Sequence, residues 1–267
     1  MKLRVLLYCL LGGLPLTIAA LGAGRFAWWW LSGILLAASF VPIALYGPRG
    51  GPRQLAVIAP VLLVVTVLCT WSEALIFLPG ADRHPARDLA GALVLYAIEA
   101  VALAVLAPAL RPTRESGLSV PRRPLAATVL MLLACGVAYA VYYLVFGAIT
   151  YEFFTKGYYP EAADVAQRLG LWLWVIQIGR GALMALAVLP AILTLRLDRG
   201  PAALAVGALI WVAGGAAPLL APNDFMGTAQ RMIHIVEILT QNAPLGITSV
   251  LLLRPRSAPV AAATRAA

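Results

Sequence analysis

Charged side chains are scarce in this chain. They make up 12% of the 267 residues, whereas hydrophobic residues make up 62%. A soluble globular domain carries about 25% charged and about 45–50% apolar residues. A soluble fold of this length has too much surface to hide such an apolar excess in one core. The composition therefore excludes a soluble globular class and predicts an integral membrane protein whose main partner is the lipid bilayer.

Cysteine and histidine are also rare. The three cysteines, Cys9, Cys69 and Cys135, lie in separate apolar runs without CxxC spacing. This placement is typical of small hydrophobic residues packed in helices and says nothing about the redox compartment. The sequence contains no phosphate-binding loop, HExxH or GxSxG motif. Its two histidines fall on different elements, which argues against haem with two axial histidines. We predict no cofactor and no metal.

The apolar runs are long enough to cross a bilayer. A membrane-spanning helix needs about 20 mainly apolar residues. The chain therefore predicts one all-α domain over residues 1–253, a polytopic bundle of about eight transmembrane helices, with a disordered cytoplasmic tail at 254–267. For the N-terminal run we favour an uncleaved first span over a cleaved signal peptide. The predicted spans are about residues 5–24, 26–46, 55–78, 89–110, 126–150, 171–195, 202–221 and 232–253.

The distribution of basic residues predicts the orientation. The net charge is +9, but in a membrane protein Lys and Arg mark the cytoplasmic loops, so this charge does not indicate nucleic acid. Most Lys and Arg fall in the segments that lie on the same side of the membrane as the N-terminus. On the opposite side, acidic residues offset the fewer basic ones. We expect both termini in the cytoplasm. The abundance of Arg over Lys favours a bacterial inner membrane, and no nucleic-acid partner is expected.

Several ionisable residues interrupt the apolar spans. A charge at the bilayer centre costs about 2.5–3.5 kcal/mol on insertion scales, and such residues face a protein interior or a cavity. Counting along the spans at 1.5 Å per residue places all of these groups in the outer half of the membrane. Residues three, four and seven apart share a helix face. The candidate ligand-binding residues are Glu73, Glu99, Gln177, Arg180, Arg231, His234, Glu237, Gln241 and Asn242.

Charge and depth suggest which of these residues pair. Arg180 and Glu99 lie at the same depth, so Glu99 is the expected carboxylate partner of Arg180. Glu237 is expected to pair with Arg231 or His234. Gly179 and Gly181 would let another backbone approach beside Arg180. Pro244 cannot donate to the carbonyl of Thr240, so we expect a kink below Gln241 and Asn242.

The segment 151–170 is too polar to cross the membrane. It begins with a cluster of aromatic residues and ends in a short helix whose first turn is acidic. Aromatic residues of this kind settle at the headgroup level. We expect an interfacial anchor on the outer side, with a lid over a cavity as the alternative. His84 belongs to another polar outer loop and is expected to be solvated.

Three classes of function fit these features. The leading hypothesis is an outward-facing pocket that binds or translocates a small amphipathic or anionic molecule, with Arg180 taking the anionic group. One alternative is an intramembrane enzyme acting on a lipid or isoprenoid, with His234 and Glu237 as acid–base partners. The other is a non-catalytic subunit of a membrane assembly, whose polar residues only pack helices. The HxxE spacing places His234 and Glu237 on one helix face, where the two side chains could bind a metal, but we favour a site without metal.

Overall fold

The computed structural model describes residues 1–19, 21, 25–77, 85–110, 123–159, 161–223 and 226–255. Within these ranges the chain forms ten helices and no strand. The helices are α1 (Lys2–Gly12), α2 (Leu14–Ala19), α3 (Phe26–Tyr46), α4 (Gly51–Phe77), α5 (Pro85–Leu106, extended by a 3₁₀ turn at Ala107–Leu110), α6 (Leu125–Thr155), α7 (Ala162–Leu169), α8 (Leu171–Thr194), α9 (Arg199–Leu220) and α10 (Thr228–Leu253).

Seven of these helices are long and apolar enough to cross a membrane. They are α3, α4, α5, α6, α8, α9 and α10. The chain is therefore a multi-pass, all-α membrane protein, as the composition predicts. Large hydrophobic side chains such as Val94, Leu130 and Leu204 are exposed on the outside of the bundle, where lipid would contact them.

The described residues contain seven such helices, where about eight spans are predicted. Over the predicted first span, residues 5–24, the described part of the chain forms two short helices, α1 and α2. The helix is interrupted at Gly13, whose backbone packs against Gly33 so closely that a Cβ on Gly33 would lie 2.6 Å from the Cα of Gly13. Pro15 adds to the break because it has no N–H to donate to the preceding turn.

Three of the long helices contain π-helical stretches. They are Val61–Cys69 in α4, Tyr151–Thr155 at the end of α6 and Val212–Ala216 in α9. A π-helix is wider than an α-helix, so it changes which residues face a neighbouring helix, and it is frequent at functional sites. The π-helical stretches in α4 and α9 precede or contain residues that line the cavity described below.

Helices α6, α8, α9 and α10 form the best-packed part of the bundle. Helix α10 packs extensively against both α9 and α6, and α6 packs against α8. Helix α4 contacts α8, whereas α5 packs against α1, α2 and α4. The core is apolar and continuous through these helices. Helix α5 therefore lies on the other side of α4 from the tightly packed group.

Small residues bring α6 and α8 into close contact. A Cβ added to Gly136 would lie 2.3 Å from the carbonyl oxygen of Ile178, and one added to Gly181 would lie 2.4 Å from the Cβ of Tyr139. Close helix packing in membranes depends on such small residues. The close approach predicted beside Arg180 occurs at Gly181, whereas a Cβ on Gly179 would have open space around it.

Some predicted features lie partly or wholly outside the described residues. These are His84 and its loop, the basic connection at 111–122, Pro160 and the tail from residue 256. Arg254, the first residue of the predicted tail, is buried and donates a hydrogen bond of 3.0 Å to the carbonyl of Leu195. Pro244 lies within α10, which runs without interruption from Thr228 to Leu253.

Candidate functional site

A cavity of about 370 Å³ opens at one end of the bundle, between α4, α6, α8, α9 and α10. Residues of α7 and of the segment before it line the same cavity, so this short helix lies over the cavity's end. Most of the lining is apolar or aromatic. The ionisable and amide side chains that line it are Glu73, Arg180, His234, Glu237, Gln241 and Asn242.

Arg180 forms an ion pair with Glu73. The guanidinium Nη2 binds Glu73 Oε2, and Nη1 donates a 2.7 Å hydrogen bond to Gln177 Oε1. The side chain of Arg180 is 10% exposed and that of Glu73 is 33% exposed. The expected partner, Glu99, is therefore wrong. Helix α4, rather than α5, packs against α8 in the bundle, and this packing brings Glu73 to Arg180.

Two tyrosines complete the surroundings of this ion pair. The phenol of Tyr143 donates a 2.6 Å hydrogen bond to Glu73 Oε1. The guanidinium carbon of Arg180 lies 5.8 Å from the ring centroid of Tyr139 and 5.7 Å from that of Tyr143. Both distances are within the range of cation–π attraction. The charge of Arg180 is thus compensated on several sides by groups of the protein itself.

A second polar cluster lies on α10. His234 Nδ1 is 2.7 Å from Glu237 Oε2, and Gln241 Nε2 donates a 3.1 Å hydrogen bond to Glu237 Oε1. Of the two partners expected for Glu237, the structure selects His234. The other ring nitrogen of His234, Nε2, has no hydrogen-bond partner among the described residues. This stretch of α10 presents its carboxylate, imidazole and amide groups on one face, which lines the cavity.

Tyr159 closes the cavity beside His234. The two ring centroids are 5.5 Å apart, and the buried phenol of Tyr159 has no hydrogen-bond partner in the described part of the chain. Burial, followed by the charge of Glu237, raises the pKa of Tyr159 above its ordinary value, so this phenol stays protonated. It remains available to donate a hydrogen bond.

Two adjacent glycines let α10 approach α9 at the cavity. A Cβ on Gly214 would lie 2.6 Å from Asn242 Nδ2, and one on Gly215 would lie 2.5 Å from the Cγ2 atom of Ile238. Both glycines belong to the π-helical stretch of α9. Asn242 Nδ2 also donates a 3.3 Å hydrogen bond to the carbonyl of Ile210. The side chain of Asn242 is therefore fixed by α9.

Three of the predicted site residues do not line the cavity. Gln177 lies behind Arg180 and orients it. Arg231 donates to the carbonyls of Leu219 and Leu220, at the end of α9, at 3.3 and 3.2 Å. Glu99 is 0% exposed on α5, and neither of its carboxyl oxygens has a hydrogen-bond partner among the described residues.

Sequence reasoning missed part of the lining. The missed residues include Gly147 and Tyr151 of α6, Tyr159, the alanines of α7 and the Gly214–Gly215 pair. Tyr139 and Tyr143, which contact Arg180, also line the cavity. The adjacent glycines in the seventh predicted span were a usable signal, because two consecutive glycines in a membrane helix indicate close approach. The alanines of α7 carried no such signal.

Comparisons with protein-family models, with curated proteins and with solved structures gave no match. The fold alone therefore defines the class: a multi-pass membrane protein built from a bundle of apolar helices.

Proposed function

We propose that the cavity binds or translocates a small amphipathic molecule across, or within, a bacterial inner membrane. The observation that carries this proposal is a cavity of about 370 Å³ with a mostly apolar lining and ionisable groups from three long helices. Small-molecule sites have volumes of about 300–1,000 Å³ and combine apolar walls with a few convergent polar groups. The apolar lining suits the body of an amphipath, and the polar groups suit its head.

The engagement of Arg180 favours a general amphipath over an anionic ligand. Both terminal nitrogens of its guanidinium have protein partners, Glu73 and Gln177. An anionic group would have to displace Glu73 or bind at Nε, which has no hydrogen-bond partner in the described residues. A role limited to packing would account for the Arg180–Glu73 pair, but packing does not require a cavity beside it.

Photo-crosslinking can test occupancy of the cavity. The probe is 4-benzoylbenzyl alcohol, a neutral amphipath, added to the protein in native membranes and mapped by mass spectrometry after illumination. We expect labelling of cavity residues that excess unlabelled alcohol suppresses. Ala148→Trp fills the cavity and should abolish this labelling. Val145→Trp is the matched control, because Val145 is exposed on the outer face of the same helix.

Labelling spread over the lipid-facing residues, equal in both variants and resistant to competition, would show that the cavity binds no amphipath. Uptake of the same alcohol into vesicles, with and without Ala148→Trp, then separates translocation from binding.

An acid–base enzyme is the second candidate, and the geometry of His234 supports it. Its Nδ1 is held 2.7 Å from Glu237 while Nε2 has no partner in the described residues. A carboxylate that orients one imidazole nitrogen leaves the other to exchange a proton with a substrate. Turnover of a labelled lipid or isoprenoid should disappear in His234→Ala. Turnover that survives this substitution rules out the acid–base role.

A further inference from the structure

The charges around the cavity are biased toward the negative sign. Its described lining contains two carboxylates, Glu73 and Glu237, and only two groups able to carry positive charge, Arg180 and His234. Arg180 is neutralised by Glu73. With a neutral imidazole the lining therefore carries one negative charge, and with a protonated imidazole it carries none. In neither state is the cavity positive, which disfavours an anionic ligand.

The aromatic lining adds attraction for a cation. Tyr139, Tyr143, Tyr151, Tyr159 and Phe77 all line the cavity. A cation within about 6 Å of an aromatic ring centroid is attracted to the ring face, more strongly where water is excluded. The structure already contains this interaction, because the guanidinium of Arg180 lies against two of these rings. The ring of Tyr159 lies next to His234, whose Nδ1 is 2.7 Å from Glu237 Oε2.

We propose that the ligand is a small organic cation, an amine or quaternary ammonium group carried on an apolar body. This inference rests on the proposed function and specifies its ligand class. The cationic head would lie between Glu237 and the ring of Tyr159, and the apolar body would extend along the alanines and glycines of the lining.

The carboxylate of Glu237 makes this corner suitable for an ammonium head. His234 Nε2 is buried and has no hydrogen-bond partner among the described residues. An ammonium head would therefore rely on the ring of Tyr159 and on the carboxylate. A carboxylate or phosphate ligand would instead meet Glu237 at this corner.

Isosteric probes separate charge from shape. Benzyltrimethylammonium is the cationic probe, neopentylbenzene has carbon in place of the charged nitrogen, and benzylsulfonate is the anionic probe. Binding to the purified full chain in detergent is measured by equilibrium dialysis. We expect the cation to bind at least about tenfold more tightly than neopentylbenzene, and the sulfonate to bind most weakly.

Three variants test the position of the head. Glu237→Gln keeps the shape of the side chain and should remove most of the preference for the cation while leaving neopentylbenzene binding unchanged. Tyr159→Leu removes the ring face and should weaken the cation severalfold. Glu152→Gln is the matched control, because Glu152 is an exposed carboxylate paired with Lys156 outside the cavity. It should change nothing.

The possible results distinguish this inference from the proposed function. Equal binding of the cation and neopentylbenzene, both blocked by Ala148→Trp, would overturn the cationic ligand and leave the amphipath site intact. Tighter binding of the sulfonate would overturn the cationic ligand in favour of an anion at Arg180. Failure of all three probes, together with the absence of saturable photo-labelling, would reject both proposals.

Discussion

Removing only the carboxylate of the Arg180–Glu73 pair should cost more free energy of unfolding than removing both charges. Glu73→Gln leaves a guanidinium that is 10% exposed with only the amide of Gln177 and two aromatic rings around it. Removing one partner of a buried ion pair costs about 3–5 kcal/mol, because the other charge is left buried and uncompensated. Since Glu73 is 33% exposed, we expect the lower end, about 3 kcal/mol.

The complementary substitution should be milder. Arg180→Met leaves a carboxylate that keeps its hydrogen bond from Tyr143 and is partly exposed to the cavity. We expect it to cost about 1–2 kcal/mol. Replacing a buried pair by neutral groups of similar size is often nearly neutral, so the double variant should cost only about 1–2 kcal/mol as well. The coupling energy between the two positions is then about 3 kcal/mol.

Unfolding in mixed micelles, driven by dodecyl sulfate and followed by tryptophan fluorescence, measures these four free energies. The exposed pair of Glu152 and Lys156 gives the reference cycle, for which a coupling below about 1 kcal/mol is expected. Independent sites add to within about 0.5 kcal/mol. If Glu73→Gln and Arg180→Met were additive within that margin, the ion pair would not stabilise the bundle and our reasoning would be refuted.

Three further experiments test other parts of the structure. Glu99→Leu should leave the free energy of unfolding unchanged or raise it by about 1 kcal/mol, because neither carboxyl oxygen has a hydrogen-bond partner in the described residues; destabilisation by about 2 kcal/mol in the same assay would contradict this. Gly136→Ala should destabilise by about 1–3 kcal/mol because its Cβ would meet the carbonyl of Ile178, whereas Gly179→Ala, with open space, should be tolerated. In intact cells, a membrane-impermeant maleimide should label Lys156→Cys and spare Arg123→Cys, because we expect the Lys156 end of α6 outside the cell and the Arg123 end inside. The native cysteines are buried and should contribute little background. The reverse pattern would invert the predicted orientation.

The sequence was most informative about the length and periodicity of the helices. Apolar run length predicts the long helices to within a few residues, because the thickness of the bilayer sets that length. Helical spacing placed His234, Glu237 and Gln241 on one face of α10, and the structure joins them by hydrogen bonds. Such contacts lie within one helix and depend only on its geometry.

The arrangement of helices around the bundle was not predictable in the same way. Glu73 and Glu99 both had plausible depth for Arg180, and only the packing of α4 against α8 selects Glu73. The break at Gly13 depends on its contact with Gly33 in another helix. The π-helical stretches also escape an analysis that assumes an α-helical period throughout, although they help decide which residues of α4 and α9 face the cavity.

Because of the placement of α7, the length of the cavity and the charge of its lining depend on different helices. The three residues by which α7 lines the cavity, Ala162, Ala163 and Ala166, contribute methyl groups only, while every charged lining residue belongs to a long helix. Enlarging one of these alanines to valine or leucine would reduce the volume of the cavity without moving an ionisable group. Under the proposed function, this short helix would set the size of the molecule that fits, and the long helices would set its charge.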